Sequence, residues 1–118
     1  MHAVVRRYTG PEAGQLFGEL EQRTADVERI IGGVPGFVAY TLMRTSDGGV
    51  SVTVCQDRAG CEESSRRAAE WIRQNVSAAA GRPPEVMEGA VLVQMGGTGM
   101  PAGQQPGAAA EAGRRPTA

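Results

Sequence analysis

Lysine is absent from all 118 residues, and histidine occurs once, at His2. Every cation is an arginine, and 12 of them stand against 13 Asp and Glu, a balance with no basic stripe of the kind that binds nucleic acid. A single strong nitrogen ligand argues against a dedicated transition-metal site. A Ser-His-Asp triad would have to be built on His2, where nothing nearby supports it. Cysteine is almost as scarce: Cys55 and Cys61 are separated by five residues, unlike the tight pairs of zinc or thioredoxin motifs, and read as two buried free thiols. The amino terminus, MHAVVRRYTG, lacks the apolar core of a secretion signal, and no run elsewhere approaches the ~18 apolar residues that cross a bilayer. The expectation is a soluble, cytoplasmic protein that engages neither membrane nor nucleic acid and uses no metal or other cofactor.

Aromatic residues are also few: Tyr8, Phe17, Phe37, Tyr40 and Trp71. None falls in the stretch from Gly96 onward, GGTGMPAGQQPGAAAEAGRRPTA, where 15 of 23 residues are Gly, Ala or Pro. Such a segment buries too little apolar surface to offset the entropy of ordering it. This predicts one folded domain over residues 1–95 and a disordered tail over 96–118. A domain of that size hides only about 60 to 65 per cent of its unfolded surface, so it gains more than a larger one from a partner.

Within the folded part, Ala3 to Tyr8 reads as a strand. Thr9 followed three residues later by Glu12 matches a capping box. Ala13, Leu16, Phe17, Leu20, Thr24, Val27 and Ile31 then recur at helical steps, predicting one helix that Gly32-Gly33 ends. The stretch VPGFVAYTLMRTSDGGVSVTVCQD, Val34 to Asp57, predicts a β-hairpin turning at Asp47-Gly48-Gly49. Asp57 or Gly60 caps a second helix over CEESSRRAAEWIRQNV, with Cys61, Ser65, Ala68, Ile72 and Val76 on one face, and Gly81-Arg82-Pro83-Pro84 breaks it. AVLVQM, Ala90 to Met95, reads as the last strand. Gly14 and Gly18 lie off the apolar stripe of the first helix, where close approach of another backbone and compositional drift account for them equally.

This order is the split β-α-β arrangement: an α+β, ferredoxin-like βαββαβ fold with an antiparallel four-stranded sheet and both helices on one face. Two helices cover one side only. The second strand alternates Val38, Tyr40 and Leu42 against Phe37, Ala39, Thr41 and Met43, so neither of its faces is solvent-like. The third sets Val50, Val52 and Val54 against Ser51, Thr53 and Cys55. Burying the uncovered flank at roughly 25 cal/mol per Å² would contribute about 10 kcal/mol. The expectation is a homodimer joined through the open sheet face about a two-fold axis.

Over Ala3 to Met95 the chain resembles the dimeric α/β barrel superfamily, in particular its antibiotic-biosynthesis-monooxygenase-like (ABM-like) members. The resemblance rests on the hairpin stretch quoted above, the following helix with Trp71, and PEVMEGAVLVQM toward the end. It implies two ferredoxin-like subunits whose sheets meet, each with a cavity between sheet and helices. Some relatives oxidise aromatic polyketide or quinol substrates with dioxygen and no metal or flavin, others cleave haem, and fold alone does not choose among these. Haem cleavage is disfavoured, because those relatives hold iron with a His on or after the second helix and this chain has none beyond His2.

The resemblance makes Trp71, Asn75 and Tyr40 the candidate catalytic residues around a small aromatic ligand, with Arg82 a weaker suggestion. Trp71 sits at the edge of the apolar stripe beside Ser64, Ala68 and Asn75, one helical turn from the last. The alternative for each is structural: Trp71 as core packing or stacked on Arg67, Asn75 as a helix terminator, Tyr40 as core with its hydroxyl satisfied by backbone. Two functions follow: a cofactor-independent monooxygenase acting on an aromatic quinol-like or polyketide-like substrate, or a non-catalytic dimer of the same fold that binds a small molecule or a protein.

Overall fold

The computed structural model describes residues 1–76 and 83–96; Arg82 and the predicted tail from residue 97 lie outside the described residues. Strands β1 (His2–Thr9), β2 (Phe37–Thr45), β3 (Gly48–Cys55) and β4 (Glu85–Ala90) form one antiparallel sheet in the order β2-β3-β1-β4. Helices α1 (Ala13–Gln22), α2 (Thr24–Gly32) and α3 (Arg58–Asn75) cover one face. The fold is α+β and ferredoxin-like, as the order of elements predicts.

Four local readings change. The predicted first helix is two, because Arg23 leaves helical geometry at φ −127° and ψ 36° and its N–H turns back to Leu20 O at 3.0 Å. The stripe survives the break, since Leu16, Phe17, Leu20, Val27 and Ile31 are all buried. The capping box does not form: Thr9 is the last residue of β1, held opposite Gly48, and Glu12 makes no side-chain cap. The hairpin turns at Ser46-Asp47, with Gly48 and Gly49 already inside β3. The last strand is EVMEGA, not AVLVQM, because Ala90 pairs with His2 at the very start of β1, and beyond it, among the described residues, only the Val91 N–H finds a backbone partner, Met1 O at 3.0 Å. Leu92, Val93 and Met95 are consequently exposed. Asp57 does cap α3, its Oδ1 accepting the Gly60 N–H at 3.0 Å.

Register assigns the two faces of the sheet. Val4, Arg6 and Tyr8 of β1 stand opposite Thr53, Ser51 and Gly49 of β3, and all face the helices. A bulge between Phe37 and Ala39 puts Phe37 on the same side as Tyr40 and Leu42, against the strict alternation expected of β2. The main core joins Tyr8, Leu16, Phe17, Leu20, Val27, Ile31 and Val76. A smaller cluster joins Val4, Val34, Cys55 and Cys61. The opposite face carries Val5, Val50, Val52, Met43 and Met87. Around Gly14 and Gly18 nothing among the described residues lies within 4 Å of where a Cβ would stand, so no described backbone outside their own helix approaches them.

On the outer side of α3, Glu63 accepts hydrogen bonds from Arg66 (3.0 and 2.8 Å) and Arg67 (2.7 Å). The Arg66 bonds first, then those of Arg67, draw its carboxyl from an ordinary 4.5 down to about 2. A depressed carboxyl pKa stabilises the fold above the unfolded value, and the contribution disappears as pH falls through the folded one. Thermal melts are expected to lose this increment between pH 4.5 and about 2. In Glu63→Gln the same melts should be flatter over that window, and high salt should shrink the difference because the cluster is exposed.

Candidate functional site

The alternation of β1 places Arg6 between Val4 and Tyr8 on the helix side, where it is only 2% exposed. Its cross-strand partner Ser51 accepts from Nε at 3.1 Å, and Thr53, two residues along β3, accepts from Nη2 at 2.9 Å. From above, α3 presents adjacent hydroxyls, Ser64 and Ser65, which accept from Nη1 at 3.3 and 2.8 Å. Ser64 donates its own proton to Cys61 O at 2.7 Å, which orients its lone pairs toward the guanidinium. Among the described residues no carboxylate pairs with Arg6. A buried cation held only by neutral dipoles is unusual, because desolvating a charge costs several kcal/mol that hydroxyls recover in part.

Two phenols flank this charge. Burial pushes the Tyr8 and Tyr40 hydroxyls above the ordinary tyrosine value, and the adjacent Arg6 charge pulls both partly back. Both therefore remain neutral hydrogen-bond donors at physiological pH. Tyr40 also lies within hydrogen-bonding reach of Ser51. Tyr8 is locked by an edge-on contact with Phe17, ring centroids 5.7 Å apart.

Two spaces open on this constellation. One, of about 30 Å³, lies beside Trp71 and Tyr40 and is walled by Leu20, Val27, Ile31 and Leu42, with room for about two water-sized molecules. The other, of about 430 Å³, lies between the start of α1, α3 and the entry to β4, against Leu16, Ala69, Pro84 and Val86. Arg6, Tyr8 and Ile72 line both, so they form the partition.

The structure thus brings Trp71 and Tyr40 to one cavity, though to one too small for an aromatic ring. Asn75 does not join them. It is exposed at the end of α3, its Nδ2 donating to Trp71 O at 2.9 Å, while its own carbonyl accepts from Arg23 at 3.3 Å. The cation stacked on the indole is Arg23, 5.8 Å from the ring centroid, and Arg67 is instead committed to Glu63. Sequence reasoning missed Arg6, Tyr8, Ser51, Thr53, Ser64 and Ser65. The usable signal was the pairing of a Val-Arg-Tyr alternation in β1 with Ser51 and Thr53 on β3, where an apolar face should have been. Cys55 and Cys61 are free and buried, and burial pushes the Cys55 thiol up to about 11, so neither is a ready nucleophile at neutral pH.

No family model matches this chain, and no curated protein matches it in sequence. Solved structures do resemble it. A form of MhuD with two manganese protoporphyrins per active site aligns at 19% identity over 81% of this chain and 98% of that one, with a TM-score of 0.57. The ActVA-Orf6 monooxygenase of Streptomyces coelicolor, in complex with nanaomycin D, aligns at 25% identity over 79% of this chain and 91% of that one, with a TM-score of 0.50. These neighbours belong to the ABM-like dimeric α/β barrel superfamily, and the likeness establishes a shared fold.

Proposed function

We propose that this chain is a cofactor-independent monooxygenase of aromatic, quinol-like substrates, working as a cytoplasmic homodimer. The observation that supports it most is the divided space around Arg6: a cleft of about 430 Å³ has room for fused aromatic rings. The apolar chamber of about 30 Å³ beside Trp71 has room for dioxygen and little else. The bound nanaomycin D of the ActVA-Orf6 monooxygenase is consistent with such a substrate. Two free thiols suit a reducing compartment. Haem is a poorer fit, because among the described residues no His, Cys or Met lines either space and both phenols are held protonated.

The reaction balances without an external reductant. A phenol with a free ring C–H takes one oxygen atom of O2 to become a quinone, and the second oxygen leaves as water with the two hydrogens lost from carbon and hydroxyl. The chain's contribution is to hold the ring, exclude bulk water and place charge and donors beside the phenol oxygen from which electrons flow. Trp71 and Tyr40 then act on the oxygen side of the partition rather than around the ring.

With 1-naphthol in an oxygen electrode, one quinone is expected per O2 consumed. Trp71→Phe is expected to lower the rate on the order of tenfold to a hundredfold through misplacement in the small chamber, with sedimentation unchanged. The second reading is a non-catalytic binding module, favoured by how little space adjoins the indole. Quenching of the single tryptophan by 1-naphthol without oxygen uptake or product would establish it and overturn the enzyme.

A further inference from the structure

Arg6 lies in the core with its hydrogen bonds met and its charge not. Ser51, Thr53, Ser64 and Ser65 accept from its guanidinium, and the Tyr8 and Tyr40 hydroxyls bond to it as well. Neutral oxygens therefore saturate every N–H, while among the described residues no carboxylate offsets the cation.

Each of those hydroxyls carries one proton, and an oxygen that accepts from Arg6 turns its own proton away from the guanidinium. Three of them, on Tyr8, Tyr40 and Ser51, line the chamber of about 30 Å³ together with Arg6 itself. Both phenols are held protonated. Tyr40 and Ser51 bond to each other, which uses one of the three protons and leaves two for a further acceptor. The remaining wall is apolar, with Trp71 part of it, and among the described residues no Asp or Glu lines the space.

Such a wall selects its ligand by charge, size and hydration. Water takes the same protons yet leaves the charge, and a buried, uncompensated charge is the larger cost. Sulfate, phosphate and carboxylates spread their charge over several oxygens, all of which need donors, and exceed a space for about two water-sized molecules. A halide is spherical, little larger than water, and accepts from whichever donors reach it. We propose that the small chamber binds a small monovalent anion, chloride or bromide, which accepts from Tyr8 and from the Tyr40–Ser51 pair and neutralises Arg6. The site does not rest on the oxygenase reading and requires no turnover.

Bromide quenches indole emission on contact, and Trp71 is the single tryptophan. The probe is therefore sodium bromide added to the full chain, with sodium gluconate holding the ionic strength constant. Quenching is expected to saturate, part of the emission being lost at unchanged lifetime, and chloride, a far weaker quencher, should restore that part by displacement. Sulfate should not. Arg6→Met should leave only the linear, collisional component. Tyr8→Phe keeps the charge and the ring but removes one donor. It should weaken bromide about tenfold, and it carries the test if Arg6→Met fails to fold. Arg23→Ala removes the exposed cation stacked on the indole and should leave the saturable component in place, which assigns that component to the chamber. Linear quenching of the wild type, saturation unchanged in Arg6→Met or Tyr8→Phe, displacement by sulfate as effective as by chloride, or loss of saturation in Arg23→Ala would each overturn the proposal. Saturable quenching with no oxygen uptake on any phenol leaves the anion site standing and removes the oxygenase. Oxygen uptake without saturable quenching does the reverse. Where both are found, ion and dioxygen compete for one chamber, and chloride should raise the oxygen concentration needed for half the maximal rate without changing that of 1-naphthol.

Discussion

Gly49→Ala is expected to destabilise the domain by about 3 kcal/mol, a large share of the 5 to 15 kcal/mol that holds such a domain together. The added Cβ would overlap three carbons of the Phe17 ring, Cδ2, Cε2 and Cζ. Phe17 cannot yield, since it is 3% exposed and wedged edge-on against Tyr8. Gly49 has an ordinary φ, so the effect reports the contact rather than the backbone. Phe17→Leu removes the far ring atoms, and the double variant should therefore recover at least 1 kcal/mol relative to the sum of the two single changes. Gly48→Ala provides the contrast. Its φ of +149° disfavours a side chain, and its Cβ would strike the carbonyl oxygen of Tyr8, so Phe17→Leu should give no rescue. Urea midpoints of the wild type and the five variants decide the matter, and additive losses at Gly49 and Phe17 would refute the account.

That same contact shows how much of the fold the sequence carries. The helical stripe Leu16, Phe17, Leu20, Val27, Ile31 was legible because burial repeats at helical steps. The Val50, Val52, Val54 face of β3 was legible because side chains alternate. The order of elements then specified the ferredoxin-like topology. What failed was of another kind. AVLVQM outranked EVMEGA as a strand because apolarity was taken for pairing, while the strand's limit is set by where β1 begins, a long-range register invisible in a local window. The break at Arg23 and the bulge beside Val38 likewise depend on partners distant in sequence.

The candidate site was legible in its aromatic members and hidden in its polar ones. Trp71 and Tyr40 stand out by rarity. Arg6 has nothing in the local sequence to set it apart from Arg7, which is exposed and paired with Asp47 at 2.9 Å. Only tertiary structure shows that one arginine of the pair is in the core and the other in water. The four hydroxyls that hold it come from β3 and α3, between 45 and 59 residues away. Asn75 was grouped with Trp71 by helical spacing, yet its position near the end of α3 gives its amide a nearer use, the carbonyl of Trp71 itself.

If the proposed homodimer forms through the open sheet face, Val52→Glu is expected to split it into monomers, raising the dissociation constant a hundredfold or more. Val52 stands on the helix-free face between Val5 of β1 and Thr41 of β2, at the middle of the sheet. Four strands spaced about 4.8 Å apart and about eight residues long present roughly 500 Å² in projection. Met43 and Met87 extend that face at 52% and 66% exposure, and Leu92, Val93 and Met95 continue the apolar surface beyond β4. Together these approach the ~800 Å² per partner of a stable interface, whereas a monomer would leave Met43, Met87, Leu92, Val93 and Met95 in water and Val5, Val50 and Val52 part-covered. A second copy facing the first across a two-fold axis would cover the sheet face with its own equivalent. Wild-type protein should therefore sediment at twice its 12.3 kDa chain mass at micromolar concentration. The glutamate, half-exposed in the lone subunit but buried against its own image in the pair, should abolish the association while leaving the circular dichroism of the fold in place. Val52→Thr keeps the shape and adds one hydroxyl, and should weaken the dimer far less. A wild-type chain that sediments as a monomer, or a Val52→Glu chain that remains paired, would remove the open face as the interface.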